Sequence, residues 1–118
     1  MDSEHSNRVV ELLRGSLEHL SWPAAQQIAY LAGMRVDADE LALDFNDWAL
    51  LADQLLDAGA ISREAYRVIV DIDAILDSLD PTPSNWDDKA LEDLSEWQAI
   101  RHLASAALVL LAPAAAPA

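Results

Sequence analysis

Apolar residues recur at three- and four-residue steps through most of the chain, which is the spacing of one face of an α-helix. In the first run, residues 3–20, the repeating positions are Val9, Leu12, Leu13, Leu17 and Leu20. No stretch shows the strict apolar and polar alternation, flanked by hairpin turns, that marks a half-buried strand. The pattern therefore predicts an all-α protein, a compact bundle of five or six short helices.

Residues that favour helix ends divide the first half of the chain. Ser21 is predicted to cap a second helix, with Pro23 in its first turn and Gly33 at its end. A third helix is predicted to open at Asp37 and to run without interruption to Gly59, a residue suited to a left-handed C-terminal turn. The buried face of this helix is predicted to comprise Leu41, Phe45, Trp48, Ala52 and Leu55.

The second half of the chain divides in the same way. Ser62 is predicted to cap a fourth helix that ends before Pro81, and residues 81–85 form a loop. A short helix over residues 86–94, capped by Ser84 or Asn85, follows. The last helix is predicted to begin with a capping box of Ser95 and Gln98. Its predicted buried positions are Trp97, Ile100, Ala104, Ala107, Leu108 and Leu111.

The length of 118 residues fits one domain with its own core. We expect residues 1–111 to form this domain and residues 112–118, which are only Ala and Pro, to be a disordered tail. The most apolar stretch, residues 103–118, is shorter than the ~18 apolar residues that span a bilayer, and prolines interrupt it. The first residues lack the basic and apolar parts of a signal peptide. A soluble, cytoplasmic protein is therefore expected.

The chain carries few of the residue patterns that support chemistry. The absence of cysteine excludes disulfides, thiolate zinc sites and a cysteine nucleophile. His5, His19 and His102 stand far apart, without the spacing of a metal site. Apolar helical residues follow the Asp71 and Asp73 pair, unlike a calcium loop. With no glycine-rich phosphate loop and no nucleophile elbow, we expect no metal, cofactor, small-molecule substrate or enzymatic activity.

The charge balance is the most informative total. The chain has 21 acidic against 7 basic residues, a formal net charge of −14, together with 53% hydrophobic residues. The apolar content argues against disorder as the reason for the acids. Such a charge repels nucleic acids and anionic membranes and attracts basic proteins. A basic protein is therefore the expected partner, and no nucleic acid or membrane is expected.

The acidic residues concentrate in two windows. Residues 37–57 contain seven acids and no base, and residues 68–96 contain nine acids and one base. Glu40, Asp44 and Asp47 form a stripe on the third predicted helix, as Asp73, Asp77 and Asp80 do on the fourth. Like charges at this spacing destabilise a helix by about 0.2–0.5 kcal/mol per pair. The stripes are either a solvated face of an acidic protein or a surface that steers and docks a cationic partner.

Tryptophan adds a second kind of contact residue. Trp48 and Trp97 lie on apolar helix faces and are expected in the core, whereas Trp22 and Trp86 stand at helix starts, where one ring edge is often exposed. Exposed tryptophan is enriched among residues that dominate binding energy. The predicted partner-binding residues are therefore Asp44, Asp47, Asp73, Asp77, Asp80, Trp86 and Asp87.

Several short segments together resemble a known family. They are DELALD at 39–44, LADQL at 51–55, ISREAY at 61–66, a turn with Trp86, and SEWQAIR at 95–101. In this respect the chain resembles small helical immunity proteins of bacterial polymorphic toxin systems, of the MafI type. The resemblance implies that the chain binds and blocks a cognate toxin domain. Because nuclease and deaminase toxins act on nucleic acid, such a toxin is expected to be basic.

Two other functions fit the same sequence features. A DNA mimic that inhibits a nucleic-acid-binding protein would also be acidic, and it should compete with DNA on unrelated basic proteins. A structural or adaptor subunit would instead expose an apolar patch and self-associate. The breadth of binding and the behaviour in sizing experiments separate these hypotheses from an immunity protein.

Overall fold

Residues 2–111, the part of the chain that the computed structural model describes, fold into seven α-helices and one 3-10 helix without a β-strand. The helices are α1 Ser3–Ser21, α2 Ala24–Met34, α3 Asp39–Ala49, α4 Ala52–Asp57, α5 Arg63–Ser78, the 3-10 helix Pro83–Asn85, α6 Asp88–Asp93 and α7 Ser95–Leu111. The predicted all-α bundle is confirmed. The tail predicted over residues 112–118 lies outside the described residues.

Helix α7 is the central element of the bundle. It packs against α1, α5 and α6, while α3 packs against α1 and α5. Trp97, Ile100, Ala104 and Ala107 of α7 are fully buried, as the apolar spacing predicted. The two alanines have short side chains, which allow neighbouring helices to approach closely. None of the described helices combines the length and the apolar character needed to cross a membrane.

The third predicted helix is two helices. Its buried positions are largely as predicted, but the chain tightens after α3, where the Leu51 amide donates to the Trp48 carbonyl at 3.0 Å. Neither glycine nor proline marks the break. The two halves pack on different neighbours, since α3 contacts both α1 and α5 whereas α4 contacts α5. The predicted continuity was therefore wrong because tertiary packing, which local periodicity does not report, divides the helix.

Two predicted helix ends are confirmed. The hydroxyl of Ser62 accepts a hydrogen bond from the amide of Ala65 at 3.0 Å, which caps α5. Gly59 follows α4 with a φ of +73°, and the Ala60 amide donates to the Leu55 carbonyl at 2.9 Å. Glycine adopts this left-handed conformation without the steric cost that a side chain adds.

The predictions for the two ends of α2 and for the start of α3 were wrong. Ser21 is the last residue of α1, and its hydroxyl donates to the Glu18 carbonyl rather than capping α2. Gly33 lies inside α2, and Arg35 makes the left-handed turn with a φ of +58°. Asp37 precedes the first residue of α3 by two positions and makes no side-chain cap. Several adjacent candidates were present, and local sequence alone does not distinguish among them.

The segment before α7 also differs from its prediction, since Pro83–Asn85 of the predicted loop form the 3-10 helix. The short helix begins at Asp88, and Asp87 caps it by accepting a hydrogen bond from the Ala90 amide at 2.8 Å. The capping box of Ser95 and Gln98 does not form, because the Gln98 amide donates to the Leu94 carbonyl. The Ser95 hydroxyl lies 3.4 Å from the carboxylate of Glu96 instead.

Gln27 joins three helices in the core. It is fully buried, and its amide nitrogen donates to the carbonyls of His19 and Leu20 at 3.0 and 3.1 Å. Its amide oxygen accepts a hydrogen bond from the Arg101 guanidinium at 3.1 Å. Partial burial lowers the pKa of Arg101 from its ordinary value. The Gln27 side chain thus hydrogen-bonds two carbonyl groups at the end of α1 and links α2 to α7.

Candidate partner-binding groove

A groove of about 570 Å³ runs between α3, the C-terminal half of α5 and the loop that leads to α6. We call it the acidic groove. It is lined by Asp37, Asp39, Ala42, Leu43, Asn46, Asp73, Leu76, Asp77, Leu79, Pro81, Pro83, Trp86 and Asp87. Seven of these residues are apolar, five are aspartates, and none is basic. The groove therefore combines a surface for apolar groups with a concentrated negative charge.

Helix α3 forms one wall through Asp39, Leu43 and Asn46, which stand at i, i+4 and i+7 and so share one face. Leu43 keeps 55% of its surface exposed. It lies off the buried stripe that holds Leu41 and Phe45. An apolar side chain exposed beside carboxylates is a ready contact for an apolar group of a partner.

Helix α5 forms the opposite wall through Asp73, Leu76 and Asp77. Leu76 is buried, Asp73 is half-buried, and Asp77 is exposed. Partial burial raises the pKa of the Asp73 carboxyl, and the negative charge of Asp77 one turn away raises it further. The Asp73 carboxylate is thus incompletely solvated and close to a like charge, and a cation placed beside it would relieve both effects.

The loop holds Trp86 firmly at one end of the groove. The indole nitrogen of Trp86 donates to the carbonyl of Asp80 at 2.8 Å. Its ring meets the buried ring of Trp97 edge-on, with centroids 5.7 Å apart, and the Trp97 indole nitrogen donates to the Asn85 carbonyl at 2.9 Å. The Ala38 amide also donates to the carbonyl of Trp86. The half-buried ring is therefore preorganised, and a partner need not order it.

Four of the seven predicted partner-binding residues line the acidic groove, namely Asp73, Asp77, Trp86 and Asp87. The other three, Asp44, Asp47 and Asp80, do not line it. Asp44 lies on α3 with a carboxylate oxygen 3.9 Å from the Nδ1 atom of His19 on α1.

Asp80 leaves the stripe of Asp73 and Asp77 because α5 ends at Ser78. The backbone carbonyl of Asp80, rather than its carboxylate, fixes the groove by accepting bonds from Asn85 and Trp86. Asp87 has two tasks, since its carboxylate caps α6 as well as lining the groove.

Sequence reasoning missed Asp37 and Asp39 and the apolar contribution of Leu43, Leu79 and the two loop prolines. On α3 it chose the acidic stripe through Asp44 instead of the face through Asp39. One signal was available, because Leu43 is a large apolar residue that falls outside the predicted core stripe. The fact that this face meets α5 and the loop depends on tertiary structure.

A second surface feature lies at the corner of α1 and α2. The ring of His19 stands 4.6 Å from that of Trp22 and 4.5 Å from that of Tyr30, measured between centroids. Trp22 and Tyr30 meet edge-on at 5.3 Å. All three side chains are half-buried, so Trp22 keeps the partly exposed ring that its position at a helix start predicted.

The carboxylates of the acidic groove are spread along two helices and a loop rather than gathered at one point. Among residues 2–111, no three histidine, aspartate or glutamate side chains converge to hold one ion. Carboxylates spread in this way can each pair with a separate positive charge. Arginine and lysine side chains of a protein provide charges spaced in this way.

Comparison of the chain with protein-family models, with curated proteins and with solved structures gives no match. The resemblance to MafI-type immunity proteins therefore stays a prediction, and what the acidic groove binds is inferred from its shape and charge.

Proposed function

We propose that the protein is a bacterial immunity protein that binds a cognate toxin domain and neutralises it. The toxin would be a basic nuclease or deaminase, whose positive charges hold nucleic acid. The single observation that carries the proposal is the acidic groove, in which five aspartates and no basic residue surround an apolar lining. The resemblance of the sequence to MafI-type immunity proteins supports the same role.

The composition of the groove favours a protein partner over mimicry of DNA. A mimic needs carboxylates that substitute for phosphates, and apolar side chains have no counterpart on a phosphate backbone. In the acidic groove, Leu43, Leu79 and Trp86 lie among the carboxylates. A basic protein surface can match both, since aromatic and apolar anchors dominate the energy of protein interfaces and charges set their specificity.

Neutralisation by this groove requires binding alone. The net charge of −14 attracts a basic toxin domain over a distance and raises the rate of encounter. Once docked, the groove would pair its carboxylates with lysine and arginine side chains that the toxin needs to hold nucleic acid. The toxin would then be blocked both sterically and by loss of its positive surface.

The proposal is tested by affinity capture from the source organism at low and moderate salt, with the product of the neighbouring upstream gene included as a purified candidate. We expect one partner with a toxin-like C-terminal domain to remain bound at moderate salt and to lose its activity on nucleic acid at equimolar protein. A set of many nucleic-acid-binding proteins, all released at moderate salt, would indicate DNA mimicry instead. Self-association without any partner would support an adaptor subunit.

Variants that each remove two charges from this protein show whether the acidic groove is the surface that contacts that partner. We expect the double variant Asp73→Asn, Asp77→Asn to slow association about tenfold at low salt and to flatten its salt dependence, because both changes remove charge from the groove. The matched control is Asp57→Asn, Asp71→Asn, which changes the net charge equally at exposed positions outside the groove. Equal effects of the two pairs on stopped-flow association rates would place the interface elsewhere.

A further inference from the structure

The occupant of the acidic groove can be specified further from the form of its walls. Its two long walls are helices, α3 and α5, and the third side is a loop with prolines and Trp86. An extended peptide that adds a strand needs an exposed sheet edge, and residues 2–111 contain no strand to offer one. A proline-rich ligand needs a groove with several aromatic rings, and Trp86 is the sole aromatic residue lining this one. Among the modes of peptide recognition that use regular backbone structure, a helix laid in a groove between helices is the one that these walls fit.

The length of the groove sets how much of a helix it can hold. From Asp39 to Asn46 on α3, seven residue steps of about 1.5 Å give a wall of about 10 Å. This equals about two helical turns of a bound helix. Two apolar side chains separated by three or four residues would therefore lie against the apolar lining, which includes Leu43, Leu76 and Leu79.

The positions of the carboxylates set the charges of the occupant. Asp39 lies on the α3 wall, Asp73 and Asp77 lie on the α5 wall, and Asp37 and Asp87 lie beyond the helix walls. Because no three acidic or histidine side chains converge on one point among the described residues, a single compact cation would leave most of them unpaired. Lysine or arginine residues on both sides of an apolar stripe would meet both walls.

We propose that the acidic groove binds a cationic amphipathic helix of the partner, with two apolar residues one turn apart on the groove lining and lysine or arginine residues beside the Asp73–Asp77 wall and the Asp39 wall. The proposal rests on the proposed function only in assigning the helix to a toxin domain. The binding of such a helix by the groove is a separate property and is tested with peptides alone.

Labelled synthetic peptides of about 14 residues, long enough to contain the two bound turns and flanking residues, provide the probe. The first peptide places leucines at i, i+3, i+4 and i+7 and lysines on either side of that stripe in an alanine background. The second has the same composition in an order that destroys the apolar stripe. We expect fluorescence anisotropy to show at least about tenfold tighter binding of the first peptide, since only it can present apolar and charged contacts together.

Variants of the protein show where the peptide binds. The double variant Asp73→Asn, Asp77→Asn should weaken binding of the first peptide by about fivefold or more, because it removes charge pairing. The single variant Leu43→Ser should weaken binding by a similar factor, because it removes an apolar contact. The control pair Asp57→Asn, Asp71→Asn should leave it within about twofold at about 0.1 M salt, because both residues are exposed, neither lines the groove, and salt screens exposed charges. The Trp86 indole resonance in a heteronuclear NMR spectrum should shift on titration, and circular dichroism checks that each variant is folded.

Three results would overturn the proposal. Equal binding of the two peptides would mean that charge alone attracts them. Equal loss in the control pair would mean that no particular groove is involved. Displacement of the peptide by spermine at an equal concentration of positive charge would identify a polyamine site rather than a helix site.

The outcome for the groove and the outcome for the immunity role remain distinguishable. If the groove binds the first peptide while no toxin is neutralised, the docking site stands and the proposed function fails. If a captured toxin is neutralised equally by the Asp73→Asn, Asp77→Asn variant and the peptides do not bind, the function stands and the interface lies on another surface.

Discussion

Asp73 is the groove residue whose ionised side chain is most clearly disfavoured by its surroundings. Its carboxyl has a raised pKa because it is partly buried and because Asp77 stands one turn away. A raised acid pKa means that the folded protein binds this proton more tightly than the unfolded chain does. The ionised form therefore costs stability at neutral pH, and that cost shrinks as the pH falls through the raised pKa of Asp73 and is gone below the ordinary pKa of the unfolded chain.

We predict that Asp73→Asn stabilises the protein at pH 7 by roughly 0.5 kcal/mol, a value kept small because solvent reaches this side chain and screens it. The gain should shrink as the pH is lowered through the pKa of Asp73, since the wild-type carboxyl then becomes neutral as well. Urea unfolding at several pH values measures both effects. Asp71→Asn removes an exposed charge two residues away, outside the groove, and should give no comparable pH-dependent gain.

The same substitution is expected to weaken partner binding, so stability and binding should change in opposite directions. Such a trade-off is typical of residues kept for function at a cost in stability. A carboxylate that merely solvates the surface would show neither effect. An Asp73→Asn variant that is less stable than wild type at pH 7 would contradict the assigned environment of Asp73.

At the level of elements, the positions that face the core were predictable, whereas the junctions between helices were predictable only in part. Periodicity placed Leu13, Phe45 and Trp97 correctly because burial of an apolar face follows from the helical repeat alone. Ser62 and Gly59 were predictable because each stands alone at its helix end. Where several capping residues lie close together, as around Ser21 and Asp37, local sequence does not determine which of them ends the helix.

Only part of the candidate site was predictable, because the sequence shows which residues share a helix face but not which faces meet. Asp73 and Asp77 share a helix face, which the sequence reveals. The pairing of that face with the Asp39, Leu43 and Asn46 face of α3 follows from how α3 and α5 pack. Local periodicity contains no information on which faces of two helices meet, so sequence reasoning chose the Asp44 face of α3, which lies beside His19.

The junction of α1, α2 and α7 depends on Gln27, which no sequence pattern distinguished from Gln26. We predict that Gln27→Ala destabilises the protein by about 1–3 kcal/mol, because it leaves two helix-end carbonyls and the Arg101 guanidinium without their buried partner. Thermal or urea unfolding measures the loss.

Gln26→Ala is the matched control for this prediction. Gln26 precedes Gln27 on α2 and is exposed, so its replacement should change stability by less than about 0.5 kcal/mol. Equal effects of the two substitutions would show that the hydrogen bonds of Gln27 do not determine the stability of the junction.

On the scale of the whole molecule, the charge has two opposing effects. A net charge of −14 on 118 residues creates self-repulsion that opposes the compact state, and the same field attracts a basic partner. Among residues 2–111, the ion pair between Arg8 and Glu11 is 3.9 Å long and exposed. The contact of the same length between His19 and Asp44 is an ion pair only when the imidazole is protonated, so the two contacts offset little of that repulsion.

These two effects should respond to salt with opposite sign. Between about 0.05 M and about 0.5 M sodium chloride the screening length falls from more than 10 Å to roughly 4 Å. We predict that the Tm rises over this range because self-repulsion is screened, whereas the association rate with a basic partner falls because steering is screened. Differential scanning calorimetry and stopped-flow fluorescence measure the two trends on the same samples.

Sodium sulfate at equal ionic strength separates screening from general salt effects, since sulfate also strengthens apolar burial. A Tm that stays constant in sodium chloride while association slows would mean that the acidic residues are spaced widely enough to avoid repelling one another. Their charge would then act on the partner alone, without a cost to the fold.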